Sequence, residues 1–313
     1  MAAANLTTAF APASVGNVAV GFDILGHSVS AIGDRVTARR VAESGVRIAR
    51  IDGVVADLPL EAERNTAGMA VLGMLAASGF DGGVELAIEK GIPLGSGLGG
   101  SAASAVAAVV AVNALLPEPL DKIALLKFAM QGEAVASGSV HVDNIAPSLF
   151  GGLVLTVGID NPNVKQIPVP AGIRCVLVHP HMTLSTREAR QILRRSIELG
   201  DVIWQCANLA GFLAGCFTGD IHLIRESLQD VVIEPQRKLL IPGFDAVQTA
   251  ARSHGALGCS ISGAGPTVFA WCEAEEAEGI RDGMVAAFAS AGLATDAWIS
   301  ALDDQGARVL ESA

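Results

Sequence analysis

No tyrosine occurs among the 313 residues, and aromatic side chains make up 4%. Since 51% of the chain is hydrophobic, its cores must be filled by aliphatic side chains. Basic residues are also few: 21 Lys and Arg face 32 Asp and Glu, a formal net charge of -11. A uniformly basic surface is excluded, and nucleic acid is not an expected partner. An acidic chain can still hold phosphates through backbone N–H groups and a metal ion. The cysteines, Cys175, Cys206, Cys216, Cys259 and Cys272, are odd in number and form no C-x-x-C pair. That argues against a disulfide framework or a zinc ribbon and for a reducing cytoplasm. Residues 1–10 have neither a basic region nor a long apolar run, so no secretory signal is expected. No run reaches the ~20 apolar residues that a bilayer requires, so no membrane association is expected. The most apolar window, 102–116, is Ala-rich, carries Ser104 and Asn113, and reads as a buried helix.

What the chain does have is glycine, 35 residues of it, together with alternating hydrophobic patterns. Residues 6–10 and 18–25 read as short extended segments around a turn-rich stretch at 12–17, and 36–40, 46–51 and 84–89 as strands. Helices are expected over 65–78, from 101 to about 115, and from a cap at Asp121 to about 137. Strands at 153–157 and 174–179 flank a segment with Pro162, Pro168 and Pro170, which places the domain boundary near 160: residues 1–160, then 161–313. Beyond it, helices are expected at 186–199, 202–217, 221–230, 244–254 and 275–290, and strands at 257–261 and 267–272. Strands and helices mixed without strict alternation indicate an α+β chain, two layered domains with a cleft between them.

Residues 93–104 read Pro-Leu-Gly-Ser-Gly-Leu-Gly-Gly-Ser-Ala-Ala-Ser. Clustered glycines let the backbone turn its N–H groups inward, and the helix that follows offers unpaired N–H groups and the positive end of its dipole. The segment is a phosphate cradle by construction, or else a plain strand–turn–helix connection capped by Ser101. Gly95, Gly97 and Gly100 satisfy G-x-G-x-x-G, but the helix runs into Pro-Glu-Pro and another helix, with no second strand ending in an acidic residue. A dinucleotide site is disfavoured. No Gly-Lys-Ser/Thr follows, so this is not a Walker loop either. A loop without its own lysine needs another cation, and Mg²⁺ held by Ser101 and Glu133 is the natural candidate.

Three segments together resemble the signature motifs of the GHMP kinase superfamily. Residues 12–26, with Asn17, Gly21-Phe-Asp23 and Gly26, resemble its first motif in the form found in homoserine kinases. Residues 93–104 resemble the second, the ATP loop, and 260–267, Ser-Ile-Ser-Gly-Ala-Gly-Pro-Thr, the third. With His141-Val-Asp-Asn144, Ser185-Thr-Arg-Glu-Ala-Arg190 and Glu234-Pro-Gln-Arg237, the likeness covers nearly the whole chain. It implies an N-terminal domain like that of a small-subunit ribosomal protein, a ferredoxin-like C-terminal domain, and an active site between them. It also implies ATP-dependent phosphorylation of the L-homoserine hydroxyl, a step of threonine biosynthesis. Two departures stand out: Gly100 replaces a usual Ser of the ATP loop, and Val142 replaces a common Pro.

The resemblance assigns ATP binding to Asn65, Lys90, Pro93, Leu94, Gly95, Ser96, Gly97, Leu98, Gly99, Gly100, Ser101, Ala102 and Ser104, and Mg²⁺ to Ser101 and Glu133. Homoserine carries a carboxylate, an ammonium and a hydroxyl. Arg190 and Arg237 can clamp the carboxylate in bidentate fashion, and Asp23 can bind the ammonium. Asn17 and Asn144 can orient the hydroxyl, with His141 and Asp143 beside them, and Thr186 resembles a hydroxyl facing the phosphate. Either Asp143 acts as a general base or the reaction proceeds without one. The rival readings are another small-molecule kinase of the superfamily, such as one acting on mevalonate, and a silent nucleotide-binding regulator. The latter would be expected to lose Glu133, Asp143 or Asn144. Relatives of this kind are often homodimers, and a homodimer is the matching expectation. Feedback by threonine is compatible with its likeness to the substrate, but no residue pattern marks it.

Overall fold

The computed structural model describes residues 5–137, 140–158 and 161–312. The first domain is built on β1 (Leu6–Gly16), β2 (Leu25–Val41) and β3 (Gly45–Gly53). After them come α1 (Thr66–Ser78), β4 (Gly83–Lys90), α2 (Gly100–Asn113), α3 (Lys122–Ser137), α4 (Val142–Phe150), β5 (Leu153–Val157) and β6 (Asn163–Ile167). β2 is the spine: β1 pairs along one edge, while β4 and β5 share the other, and among the described residues only β3 and β4 run parallel. α2 is the Ala- and Val-rich window of the sequence, apolar on every side, and Ala102 to Val109 are all buried. Asn65 caps α1 by accepting from Ala67 N–H at 3.0 Å, and Asp121 caps α3 through Ala124 N–H at 2.8 Å.

The second domain comprises β7 (Arg174–Pro180), α5 (Thr186–Gln191), α6 (Leu199–Thr218), α7 (Ile221–Ser227) and α8 (Glu234–Arg237). These are followed by α9 (Phe244–Ser253), β8 (Gly258–Ile261), β9 (Val268–Cys272), α10 (Ala277–Ser290) and β10 (Thr295–Ser300). The sheet order β10-β7-β9-β8 within a β-α-β-β-α-β succession is the ferredoxin-like arrangement. Period-two alternation shows what each face buries. Val268, Ala270 and Cys272 of β9 join α9 and α10, while Phe269 and Trp271 enter the large core shared with the first domain. There Trp271 Nε1–H donates to His27 Nε2 at 3.0 Å, joining β9 to β2. Finally β11 (Arg308–Ser312) returns to the edge of the first sheet beside β1.

Four expectations are corrected. Residues 18–25 are not a strand: Asn17, Val18 and Ala19 all have positive φ (69°, 42° and 56°), so β1 ends in a tight loop and β2 begins at Leu25. The helix expected over 186–199 stops at Gln191, because the Arg194 N–H turns to the Gln236 side chain at 2.8 Å instead of continuing the helical ladder. The boundary expected near 160 falls within the β5–β6 pair, both strands of the first sheet; residues 159 and 160 themselves lie outside the described residues. The chain leaves that sheet only after Ile167, and β11 shows that the first domain is not continuous in sequence.

Candidate active site

A cleft of about 910 Å³ lies between the domains. Three groups of side chains line it. The first is apolar, Ile51, Leu58, Pro59, Ile88 and Ile92, with Asn65 beside them. The second is the glycine-rich loop with Ser101 and Glu133. The third is polar: Asp23, His141, Asp143, Asn144, Thr186, Arg190 and Arg237.

The loop before α2 is held in shape by the turn of the third motif. Ser262 Oγ donates to Gly97 O at 2.8 Å, and Thr267 N–H donates to Ser96 O at 3.1 Å. Gly97 is required at this contact. Its φ is 77°, and a Cβ there would lie 2.7 Å from Gly265 O. Gly95 and Gly99 also have positive φ, 62° and 67°, so the loop reverses repeatedly before handing over to α2. The Ser96 hydroxyl is buried without a hydrogen-bond partner among the described residues and sits in the cleft lining, where a phosphate oxygen could accept from it.

Beside the loop, Ser101 Oγ–H donates to Glu133 Oε1 at 3.0 Å, and His141 N–H donates to Oε2 at 3.3 Å. Burial pushes the Glu133 carboxyl up to about 8 against those two bonds, with the charge of Asp143 adding to the shift. The Asp143 carboxyl is pushed up to about 7, again mainly by burial and then by the charge of Asp23. Its Oδ1 has no hydrogen-bond partner among the described residues. Gly16 lets the start of α4 come this close to β1: a Cβ there would meet Asp143 Oδ2 at 2.5 Å and Asn144 Nδ2 at 2.8 Å. Asn144 Oδ1 accepts from Ser14 Oγ at 3.0 Å. Ligand atoms of Asp23, His141 and Asp143 all lie within 4.8 Å of one another. His141 is held below its usual pKa by burial and then by the positive charge of Arg190.

Arg190 on α5 donates to both oxygens of Asp23, at 3.0 and 2.7 Å. Arg237, at the end of α8, is buried; its Nε donates to Ala189 O and its Nη1 to Gly263 O, both at 3.0 Å. Both guanidinium groups lie over the Phe22 ring, 5.6 and 5.0 Å from its centroid. The loop 17–24 that carries Phe22 and Asp23 is fixed by Asn17, whose Oδ1 accepts from Asp23 N–H at 3.0 Å and whose Nδ2 donates to Gly263 O at 2.9 Å. Gln205 of α6 supports the same loop by donating to Val20 O at 3.1 Å.

The cleft thus gathers most of the residues singled out in the sequence, with some changes of place. Leu98 and Ala102 turn their side chains into the core. Lys90 is buried under the loop, where it pairs with Asp34 and donates to Gly100 O and Ser104 Oγ, each at 2.8 Å. Ser104 Oγ in turn donates to Asp34 Oδ2 at 2.6 Å. Lys90 and Ser104 are therefore struts that hold the start of α2, and Asn65 is occupied as the cap of α1. Asn17 shapes the loop rather than presenting a free amide. Pro93 and Leu94 line the cleft's edge, and Thr186 opens α5 behind Ser185, whose side chain forms a reciprocal capping box with Glu188. Sequence reasoning missed Phe22 and the apolar wall of Ile51, Leu58, Ile88 and Ile92. The alternation of Ile51 in β3 and Ile88 in β4 looks the same whether they face a core or a ligand, and Leu58 and Ile92 lie in connections outside the strands, where no period marks them.

Comparison with known proteins agrees with this architecture. The family described as GHMP kinases N terminal domain matches residues 65–152, and that described as GHMP kinases C terminal matches residues 209–290. A homoserine kinase of Xylella fastidiosa (strain 9a5c) is 52% identical over 309 residues, covering 98% of this chain and 95% of its own. One from Chlorobaculum tepidum is 42% identical over 318 residues, 97% and 98% of the two chains. The crystal structure of homoserine kinase from Cytophaga hutchinsonii superimposes with a TM-score of 0.96 at 43% identity, over 99% of each chain. An L. major mevalonate kinase structure, 16% identical with a TM-score of 0.70, shares the fold.

Proposed function

The chain belongs to the homoserine kinases of the GHMP kinase family, and from that premise we propose how its cleft transfers the γ-phosphoryl group of ATP to the side-chain hydroxyl of L-homoserine. The observation that carries the reading is the Asp23–Arg190 pair, opposite charges presented together in a cleft that also contains the glycine-rich loop.

In this scheme the apolar wall of Ile51, Leu58, Ile88 and Ile92 receives the adenine. The N–H groups of 95–101, the Ser96 hydroxyl and the α2 dipole hold the phosphates and stabilise charge that develops on them. The substrate carboxylate takes the guanidinium groups of Arg190 and Arg237, and the ammonium takes Asp23. Asn144, held by Ser14, and Thr186 orient the hydroxyl toward the γ-phosphorus. As the new O–P bond forms and the bond to the β,γ-bridging oxygen breaks, Asp143 accepts the hydroxyl proton through Oδ1. A carboxyl near 7 is well matched to that task at neutral pH.

The donor set beside the loop fits Mg²⁺. Ser101 Oγ and Glu133 Oε1 are hard oxygens 3.0 Å apart, and the raised carboxyl reflects a burial cost that a divalent cation would offset. When bound there, the ion would neutralise β- and γ-phosphate oxygens. All five cysteines are unpaired, which supports a reducing, cytoplasmic setting. No helix of the described residues is long and apolar enough to cross a membrane.

The reading is tested by ADP release from Mg-ATP with L-homoserine, L-threonine, mevalonate and galactose as acceptors. Turnover on L-homoserine with O-phospho-L-homoserine as product supports it. Turnover on mevalonate would retain the phosphate loop and overturn the acceptor pocket. ATP binding without turnover on any acceptor would favour a silent nucleotide-binding role.

A further inference from the structure

Asp23, His141 and Asp143 all line the cleft, and their ligand atoms lie within 4.8 Å of one another. Two of them share one turn: His141 stands at the cap of α4 and Asp143 in its first turn. Asp23 arrives from the left-handed loop after β1, where its N–H donates to Asn17 Oδ1 at 3.0 Å. All three belong to the first domain, so the group is complete without the second. Asp143 is only 3% exposed, and its Oδ1 is buried without a hydrogen-bond partner among the described residues. A buried carboxylate oxygen left unpaired in a cleft lining calls for a ligand, and a cation beside two carboxylates satisfies it best.

The imidazole decides which cation. Two carboxylates and one imidazole are donors that Zn²⁺ accepts, whereas Mg²⁺ takes oxygen ligands. The two ions therefore sort between the two sides of the cleft, Mg²⁺ to Ser101 and Glu133 and Zn²⁺ to this group. Ligand atoms on one tetrahedral Zn²⁺ stand ~3.3 Å apart at bond lengths of ~2.0–2.2 Å, and side-chain movements of under about 1 Å close the present spacing to that. Asp23 need not release Arg190, which it holds at 3.0 and 2.7 Å, because each carboxylate oxygen keeps a second lone pair. Burial and then the charge of Arg190 hold His141 below its usual pKa, so the ring is neutral, as a metal ligand must be.

We propose that Zn²⁺ binds at Asp23, His141 and Asp143 and competes there with the acceptor alcohol. The competition rests on the acceptor reading of this side of the cleft: the ion takes the Asp23 and Asp143 carboxylates that the substrate ammonium and hydroxyl need. The metal site itself does not rest on that reading.

The test uses the full chain without nucleotide, titrated with Zn²⁺ by calorimetry and with Co²⁺, its coloured stand-in, by visible absorption. Both should report one ion per chain at this group. His141→Ala and Asp143→Asn should each weaken binding at least ~10-fold with unchanged circular dichroism. Arg190→Ala should tighten it by at least about threefold, because a facing positive charge is removed. Cys206→Ala, at the exposed thiol, should leave it unchanged. L-homoserine should displace the ion further than D-homoserine does, since the mirror image chelates free metal equally well. No bound ion overturns the proposal, as does binding that survives in both His141→Ala and Asp143→Asn or is lost in Cys206→Ala. An unchanged affinity in Arg190→Ala would place the ion away from Asp23 and overturn it too, and equal displacement by the two enantiomers overturns the competition. Binding is read without turnover. A chain that binds the ion but phosphorylates another alcohol therefore keeps the site and fails only the acceptor reading. One that phosphorylates L-homoserine and binds no ion fails only this proposal.

Discussion

Arg190 and Asp23 face each other as a two-bonded ion pair, at 3.0 and 2.7 Å, with side chains 35% and 40% exposed at the cleft. They come from different domains, α5 and the left-handed loop after β1. A zwitterionic amino acid offers the same two charges, so its carboxylate can replace Asp23 on the arginine while its ammonium takes the freed carboxylate.

That exchange predicts a split in the kinetics. Asp23→Ala and Arg190→Ala should each weaken homoserine use by about 1.5–3 kcal/mol, the range for hydrogen bonds to charged groups. Arg237→Ala should lose about 2–5 kcal/mol, since it is more deeply buried and its loss leaves a substrate charge unpaired. The KM for ATP should barely change in all three. Steady-state kinetics with each substrate varied decides it: an unaltered homoserine KM in the Arg237 variant would remove that residue from the carboxylate clamp.

Glu133→Gln should raise the Mg²⁺ concentration needed for half-maximal rate by at least the ~10–100-fold seen when support to a metal site is removed. A second readout does not depend on turnover. Calorimetry should show the unaltered protein binding Mg-ATP more tightly than ATP alone, with proton uptake or release that varies with pH because the carboxyl sits near 8. Equal metal dependence in the variant would place the ion elsewhere.

The Asp143 carboxyl, raised to about 7, is the proton acceptor only when ionised. Activity should therefore rise with pH up to and through about 7 and level off above it. Asp143→Asn should lower kcat by ~10²–10⁴-fold and flatten that limb. A variant within a few-fold of the parent would mean that the hydroxyl reacts without this base.

Burial lowers His27 from 6.5 to about 4, and its neutral ring accepts the Trp271 N–H across the two sheets. The folded state thus binds fewer protons than the unfolded state between those values. This contribution is fully present above about 6.5 and is lost as pH falls through about 4, at up to ~1.4 kcal/mol per pH unit. Thermal unfolding followed by tryptophan fluorescence should show stability falling in that window. His27→Gln should show a shallower fall; an equally steep one would show that His27 is not responsible.

Local patterns made the phosphate loop readable: four glycines, a serine and an Ala-rich helix in immediate succession. The same holds for 36–40 of β2, whose alternation matches its burial; residues 25–29 of that strand and 12–16 of β1, read as turn-rich, are buried on both faces and carry no alternation to read. Where sequence reasoning failed, the cause was contact between distant segments. Lys90 lines the cleft as a nucleotide residue would, but its ammonium is held from below by Asp34, 56 residues away, a contact no local pattern shows. Residues 18–25 alternate like a strand, but Asn17 anchors them to Gly263 as a loop. β10 and β11 carry polar or mixed residues and depend on partners far along the chain, while β6 is polar and pairs with the neighbouring β5, so no hydrophobic pattern announces them. Phe22 reads as core material, and only the fold shows both arginines over its ring.

The most direct measurement compares ADP release with L-homoserine, 4-hydroxybutyrate and 3-amino-1-propanol at equal concentrations. The first carries both charges, the second lacks the ammonium, and the third lacks the carboxylate. Recognition by Asp23 on one side and Arg190 with Arg237 on the other predicts kcat/KM lower by at least tenfold for each truncated acceptor, with the Asp23→Ala variant no longer favouring L-homoserine over 4-hydroxybutyrate. Equal turnover of all three by the unaltered protein would contradict the account.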